Sequence, residues 1–258
     1  MLLVRPPEWP ILSSLLRDQP HGRVVLVSSA MAYGAWRSNP VPIDETAPLR
    51  PNPGHEVAAT AAEAERLARR WESASPGGEG HSGERELVVL RPVPVVSPGS
   101  APPAHLPLID SNAPLQFLHP DDLESAIRLA ETAPPGAYNV APDGSVDADT
   151  ARALVRGVAS PGLPQRVSRL VAGWTGRLSA PAGVSFSVFA WVVDNSRLRA
   201  LGWSPTHDSE EAWVMAYPGS ELAELPAGRR QKVVLALGAS ALGLVGAIAM
   251  ELHRRKSG

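Results

Sequence analysis

The chain has 258 residues, a formal net charge of −2 and 44% hydrophobic residues, enough apolar material for one large or two small folded domains. A balance so close to neutral carries no electrostatic footprint for nucleic acid, and zero cysteines exclude disulfides, thiolate metal sites and a cysteine nucleophile. The 27 prolines and 22 glycines predict long loops between the elements.

Residues 1–22 hold Pro6, Pro7, Pro10 and Pro20 around a short apolar stretch, Ile11 to Leu16, and read as loop with the remnant of a helix. Met1-Leu-Leu-Val4 is too short for a secretory signal, and Pro6-Pro7 ends it. Arg23–Ala30 is a β-branched run of the kind buried on both faces of a parallel sheet. A proline-rich loop follows from Ala35 to Pro53, with an Asp44-Glu45-Thr46 turn. Val57 to Glu72 has strong helix formers and no Gly or Pro, so it is predicted helical. Beyond a polar, glycine-rich loop at Ser73–Arg85, Glu86–Arg91 is a second buried strand.

Pro92–Asn112 reads as loop and Gln116–His119 as a short strand. Pro120 opens a helix to about Glu131, with Asp121 and Asp122 in the first turn, where the helix dipole favours negative charge. Ala137–Ala141 is a further strand, and Asp147 begins a helix that ends near Val158. Helical patterns recur at Val167–Leu178, at Asn195–Leu201 closed by Gly202, and at Ser209–Tyr217. Strands alternating with helices give an α/β fold with a parallel sheet.

From Val233 to Met250 no residue is charged, a span of roughly 27 Å as helix, close to the roughly 30 Å hydrocarbon core of a bilayer. Arg229, Arg230 and Lys232 precede it; Arg254, Arg255 and Lys256 follow. A buried core helix and a membrane span are both open. The missing polar face and the flanking cations favour a single-pass C-terminal anchor. Three basic residues on each side leave the positive-inside rule undecided, and the globular part is expected to be cytoplasmic. Gly238, Gly243 and Gly246 make a small-residue face suited to a second membrane helix.

Six segments, in order, resemble the extended short-chain dehydrogenase/reductase family in its NAD-dependent epimerase/dehydratase branch. Val24-Val-Leu-Val-Ser-Ser-Ala-Met-Ala-Tyr-Gly34 looks like the fourth strand and its serine turn. Pro42-Ile-Asp-Glu-Thr-Ala-Pro-Leu-Arg-Pro-Asn-Pro53 looks like the loop leading to the catalytic helix. Leu90-Arg-Pro92 with Val95-Val-Ser-Pro-Gly99 resembles the fifth strand and its substrate-side loop. Gln116-Phe-Leu-His-Pro-Asp-Asp-Leu123 and Gly136-Ala-Tyr-Asn-Val-Ala141 resemble the family's F-x-H-x-x-D segment and the strand after it. Trp191-Val-Val-Asp-Asn-Ser-Arg-Leu-Arg-Ala-Leu-Gly-Trp203 is similar to a helix of the substrate domain.

The resemblance implies a Rossmann-like sheet, NAD(P) as hydride carrier, a nucleotide-sugar type of substrate, Ser29 as the catalytic serine, and Arg91 and His119 as substrate contacts. It also exposes departures. The family's helix carries Tyr-x-x-x-Lys, and Val57 and Ala61 stand at those positions, where neither moves a proton. His55 and Glu56 are the titratable neighbours, and Tyr33 belongs to the structural Tyr-Gly turn. About a hundred residues with a glycine-rich phosphate loop would precede the serine strand in an intact enzyme of this type. Here 22 do, and they hold no such loop, so no cofactor-binding residue is identified. Without the family's first strand, Val24–Val27 is expected to be an open, apolar sheet edge that invites a partner.

The resulting expectation is an α/β, Rossmann-like parallel sheet lacking its first βαβ units. Residues 1–22 are remnant or loop, 23–160 the partial nucleotide-binding-type domain, and 161–217 a small C-terminal substrate-type region. A linker at 218–232, the membrane helix at 233–250 and a basic tail at 251–258 complete it. Two functional readings stay open: an epimerase/dehydratase-lineage protein with impaired catalysis, or a non-catalytic, membrane-anchored binding or scaffold protein. A mis-assigned start or a decayed gene would also leave such a chain. A homodimer or a partner at the open edge is expected, and nucleic acid is not. His119, Asp121 and Asp122 lie close together, but with no fourth group they do not make a metal site, and helix capping accounts for the Asp pair.

Overall fold

Leu2–Val4 (β1), Gly22–Val27 (β2), Arg85–Pro92 (β3) and Gly136–Val140 (β5) pair side by side as a parallel sheet in the order β1-β2-β3-β5. The structure is a computed structural model and describes residues 1–74, 84–98, 113–147, 185–186 and 189–216. Register is set by Leu2 opposite Val24, Val24 opposite Leu87 and Val88 opposite Gly136. Alternate side chains leave a strand on opposite faces, so each central strand serves two cores. Val25, Val27, Val88 and Leu90 pack against Ala126, Ile127 and Ala130 of α3 (Pro120–Ala130). Val24, Leu26, Leu87 and Val89 pack against α1 (Leu12–Arg17) and α2 (Glu56–Ser73) through Leu12, Leu16, Ala61, Ala64, Ala68 and Trp71. Each such Val or Leu contributes roughly 1.5–3 kcal/mol by leaving water.

Residues 1–22 correct the sequence reading. They are not loop: β1 is followed by a 3-10 turn at Pro6–Ile11 and by α1, which crosses back to β2. Val24–Val27 is therefore not an edge strand, because β1 covers it on one side and β3 on the other. A three-residue apolar run is too short to show a period. Its pairing is decided by the neighbouring strand.

The second layer of differences lies further along. Gln116–His119 is not a strand; Pro114–Leu115 (β4) pairs antiparallel with Val146–Asp147 (β6), and Leu118 forms only an isolated bridge to Val95. Asp147 closes β6 where a helix start was expected. Two short helices follow, α4 (Ser196–Arg199) and α5 (Ser209–Ala216). Phe117, Val146 and Leu115 meet Trp213 of α5 in a third small core, with Phe117 and Trp213 stacked at 4.6 Å. The expected helix at 167–178 and the apolar run at 233–250 lie outside the described residues. Among the described residues no helix is long and apolar enough to cross a membrane.

Candidate functional site

Parallel strands end on the same rim of a sheet, and that rim is where open α/β sheets bind ligands. Here β2 runs out into Ser28 and Ser29, and β3 ends on Arg91 and Pro92. After Ser29 the chain makes a 3-10 turn, Ala30–Tyr33, that Gly34 closes. Gly34 has φ +69°, and a Cβ there would run into the Arg50 carbonyl, so only glycine fits. Half-buried Ser29 has extended backbone, and its Oγ accepts from the Met31 amide at 3.2 Å. The sequence-predicted catalytic serine thus caps its own turn.

Beneath the turn lies a buried polar network. Glu65 of α2 is fully buried, and Arg91 is 3% exposed. Arg91 Nη2 donates to Glu65 Oε2 at 2.7 Å and Nε to Oε1 at 3.0 Å. Ser28 Oγ donates to the same Oε1 at 2.7 Å. On its other side Arg91 Nη1 donates to the Tyr33 hydroxyl at 2.6 Å, which in turn donates to Asn139 Oδ1 at 2.8 Å. Asn139 Nδ2 donates to the Ile43 carbonyl at 3.1 Å, and the Asn139 amide to the Glu45 carboxylate at 2.8 Å. Burial pushes the Tyr33 hydroxyl up to about 12 against the opposing pull of Arg91, so the phenol stays protonated. Burial alone would lower the Arg91 guanidinium, but Glu65 outweighs it and holds the group above its usual range.

Arg91, expected as a substrate contact, has its guanidinium turned to Glu65 and Tyr33. Residues 57, 61 and 65 follow one another at four-residue spacing on α2. Val57 is 49% exposed, Ala61 is fully buried in the α1/α2 core and Glu65 reaches Arg91. His55 caps α2, its Nδ1 accepting from the Ala58 amide at 3.2 Å, with its ring 4.9 Å from Phe186. Burial lowers its pKa, so the ring is neutral at pH 7.

His119 sits apart from this network. It caps α3 through Nδ1, which accepts from the Asp121 amide at 3.3 Å, and its ring stacks on His207 at 4.0 Å. Asp122, 1% exposed, accepts from the Thr206 amide and hydroxyl, both at 2.7 Å, and from His207. Burial pushes the Asp122 carboxyl up, but the Thr206 and His207 hydrogen bonds outweigh it and hold it low. No group of three or more potential metal ligands occurs among the described residues.

Ser28, Glu65, Asn139, Thr206 and His207 were not singled out by sequence. A signal existed for Glu65 alone: it falls on the stripe of Ala58, Ala61, Ala64 and Ala68, the one charged residue among positions that all turn out buried.

Solved structures share this fold. The chain superposes on the Bordetella bronchiseptica enzyme WbmG in complex with NAD with a TM-score of 0.54 and 17% identity, over 81% of this chain and 62% of that one. A dTDP-glucose 4,6-dehydratase from Bacillus anthracis in complex with NAD matches with a TM-score of 0.54 and 16% identity, over 81% of this chain and 65% of that one. A UDP-glucuronic acid 4-epimerase from Bacillus cereus in complex with NAD gives a TM-score of 0.53 and 16% identity, over 81% and 65%. The fold is the one these enzymes share. The chain spans less than two thirds of the length of each of the three. No family model matches the sequence, and no curated protein does.

The first strand-to-helix turn of the described chain does not suit a dinucleotide pyrophosphate. Such a group needs convergent backbone amides and glycine for close approach. After β1 the chain reads Arg5-Pro6-Pro7-Glu8, in which the two prolines have no N–H and the Glu8 carboxylate accepts from the Arg5 amide. Arg5 itself is engaged by both carboxylate oxygens of Glu124, at 2.7 and 3.0 Å.

Proposed function

We propose that the chain is an NAD-dependent epimerase/dehydratase-like protein of the nucleotide-sugar lineage whose hydride-transfer chemistry is impaired. The observation that carries this is the α2 stripe: an apolar Val57 and a core-buried Ala61 stand where the resemblance puts the proton-transferring tyrosine and its lysine. Loss of a positioned acid/base removes typically 10²–10⁴-fold of rate. The Arg5–Glu8 turn supports the same reading, because it offers no pyrophosphate cradle. The glycine-rich half of such an enzyme, by this reading, lies outside residues 1–258.

Isothermal titration of NAD+ and NADH into the folded 258-residue chain is expected to give no binding heat, and turnover assays no reduction of NAD(P). Micromolar binding to this chain alone would overturn the proposal.

A homodimer through α2 is the partnership its surface favours. An open groove of about 940 Å³ runs along the helix, lined by Leu49, Pro51, Ala59, Ala62, Arg66 and Arg70. Small residues let a second helix approach. Glu63, which pairs with Arg66 and Arg70 within the helix, gives an antiparallel copy matching charges. Ala62→Trp is expected to weaken self-association at least about tenfold in sedimentation equilibrium. A wild-type chain that stays monomeric at high concentration would rule this dimer out.

A further inference from the structure

Two histidines from distant parts of the chain face each other at the start of α3. His119 is 11% and His207 21% exposed at the side chain; their rings lie 4.0 Å apart and inclined by 32°. Hydrogen bonding fixes the proton positions. His119 Nδ1 accepts from the Asp121 amide, so the proton of the neutral ring is on Nε2. Asp122 accepts at both oxygens, so His207 Nδ1 is the donor across 3.0 Å. The same carboxylate accepts from the His207 amide at 3.2 Å and from Thr206. Through these bonds the 203–208 segment is tied to α3. Trp203 Nε1 adds a bond to Ser125 Oγ at 2.9 Å, and the Phe117 amide donates to Ser209 Oγ at 3.3 Å.

We propose that the His119–His207 pair is an acid-sensitive latch, closed while His119 is neutral and opened when both rings carry a proton. One proton is tolerated: on His207 Nε2 it leaves the Nδ1 bond to Asp122 intact and turns it into an ion pair. A second proton must take His119 Nδ1. There it displaces the Asp121 amide from its acceptor, uncaps α3 and sets two cations face to face.

The other charged groups do not offset this. On α3, Asp121 is 3.7 Å from His119 Nδ1 but 80% exposed, so solvent screens it. Glu124 is committed to Arg5, and Arg128 lies in the last turn of the helix. On the facing segment Asp208 and Glu211 accept from each other's amides, and Glu210 lies in the first turn of α5. Asp122, the buried carboxylate at this junction, is already spent on His207. Because the open form binds the additional proton, the closed form is favoured as pH rises and lost as pH falls.

Amide exchange of the full chain, corrected for the intrinsic pH dependence, tests this at about pH 7.5 and about pH 5.5. Protection across 203–216 is expected to drop about tenfold at the lower pH while β2 and β3 keep theirs. In His119→Asn the side chain still accepts at the cap but does not titrate, so protection is expected to stay level between the two pH values. In His207→Gln a single cation remains, and the acid loss is expected to shrink likewise. Unchanged wild-type protection at 203–216 would sink the latch. So would an acid loss in His119→Asn as large as in the wild type, or one spread equally over the sheet.

Discussion

Glu65→Gln is expected to destabilise the protein by about 3–5 kcal/mol, because it strips a buried guanidinium of its counter-charge. Arg91 is 3% exposed. The amide oxygen left at position 65, the Tyr33 hydroxyl at 2.6 Å and the Glu45 carbonyl at 3.4 Å are its remaining acceptors. All are neutral, and a neutral acceptor does not replace a carboxylate that receives two guanidinium nitrogens. Ser28 loses a charged acceptor in the same step. Removing both charges at once is a different matter, since an apolar pair of similar volume often matches a buried ion pair. Glu65→Met combined with Arg91→Met is therefore expected to recover most of the loss. Urea unfolding reads this as a lower midpoint for the single variant at an unchanged slope. A single variant within about 1 kcal/mol of wild type would show that the pair does not hold α2 to the sheet.

The second large effect is at Ala61. Val57→Tyr and Ala61→Lys together would place a Tyr-x-x-x-Lys pair on α2, but the two positions are not alike. Val57 is 49% exposed, so a tyrosine there is expected to change stability by no more than about 0.5 kcal/mol. Ala61 is fully buried among Leu26, Ala32, Ala64 and Leu87. A lysine there overpacks the core and buries an ammonium, at an expected cost of about 3 kcal/mol or more. Neither change repairs the Arg5-Pro6-Pro7-Glu8 turn, so the double variant is expected to remain blind to NAD+ in titration calorimetry. An Ala61→Lys variant as stable as wild type would mean that a cleft still opens beside α2, and would reopen the catalytic reading.

Both effects arise where sequence and structure part company. The stripe of Ala58, Ala61, Ala64 and Ala68 was legible as a helix, and the β-branched runs at 24–27 and 87–90 as buried strands. Glu65 stood on that stripe as its one charged residue, but its partner, Arg91, lies 26 positions away on a strand. Arg91 and His119 were named as substrate contacts from the family resemblance alone. In the fold Arg91 bonds Glu65, and the His119 ring lies against His207. The helix start at Pro120 was anticipated, with Asp121 and Asp122 in its first turn, but His119 as its cap and the second histidine were not.

Periodicity records burial element by element, because a strand or helix with one apolar face carries that fact in its own residues. The α/β alternation, the central strands, α2 and α3, the serine turn and the apolar residues at 57 and 61 were all local in this sense. Pairing across the sheet is not. Leu2–Val4 is a strand because Val24–Leu26 lies beside it, and Asp122 is a buried anchor because Thr206 and His207, more than eighty residues on, come back to it. Such contacts form only when the ends of long loops are brought together, so their free energy belongs to pairs of residues and to no single stretch of chain.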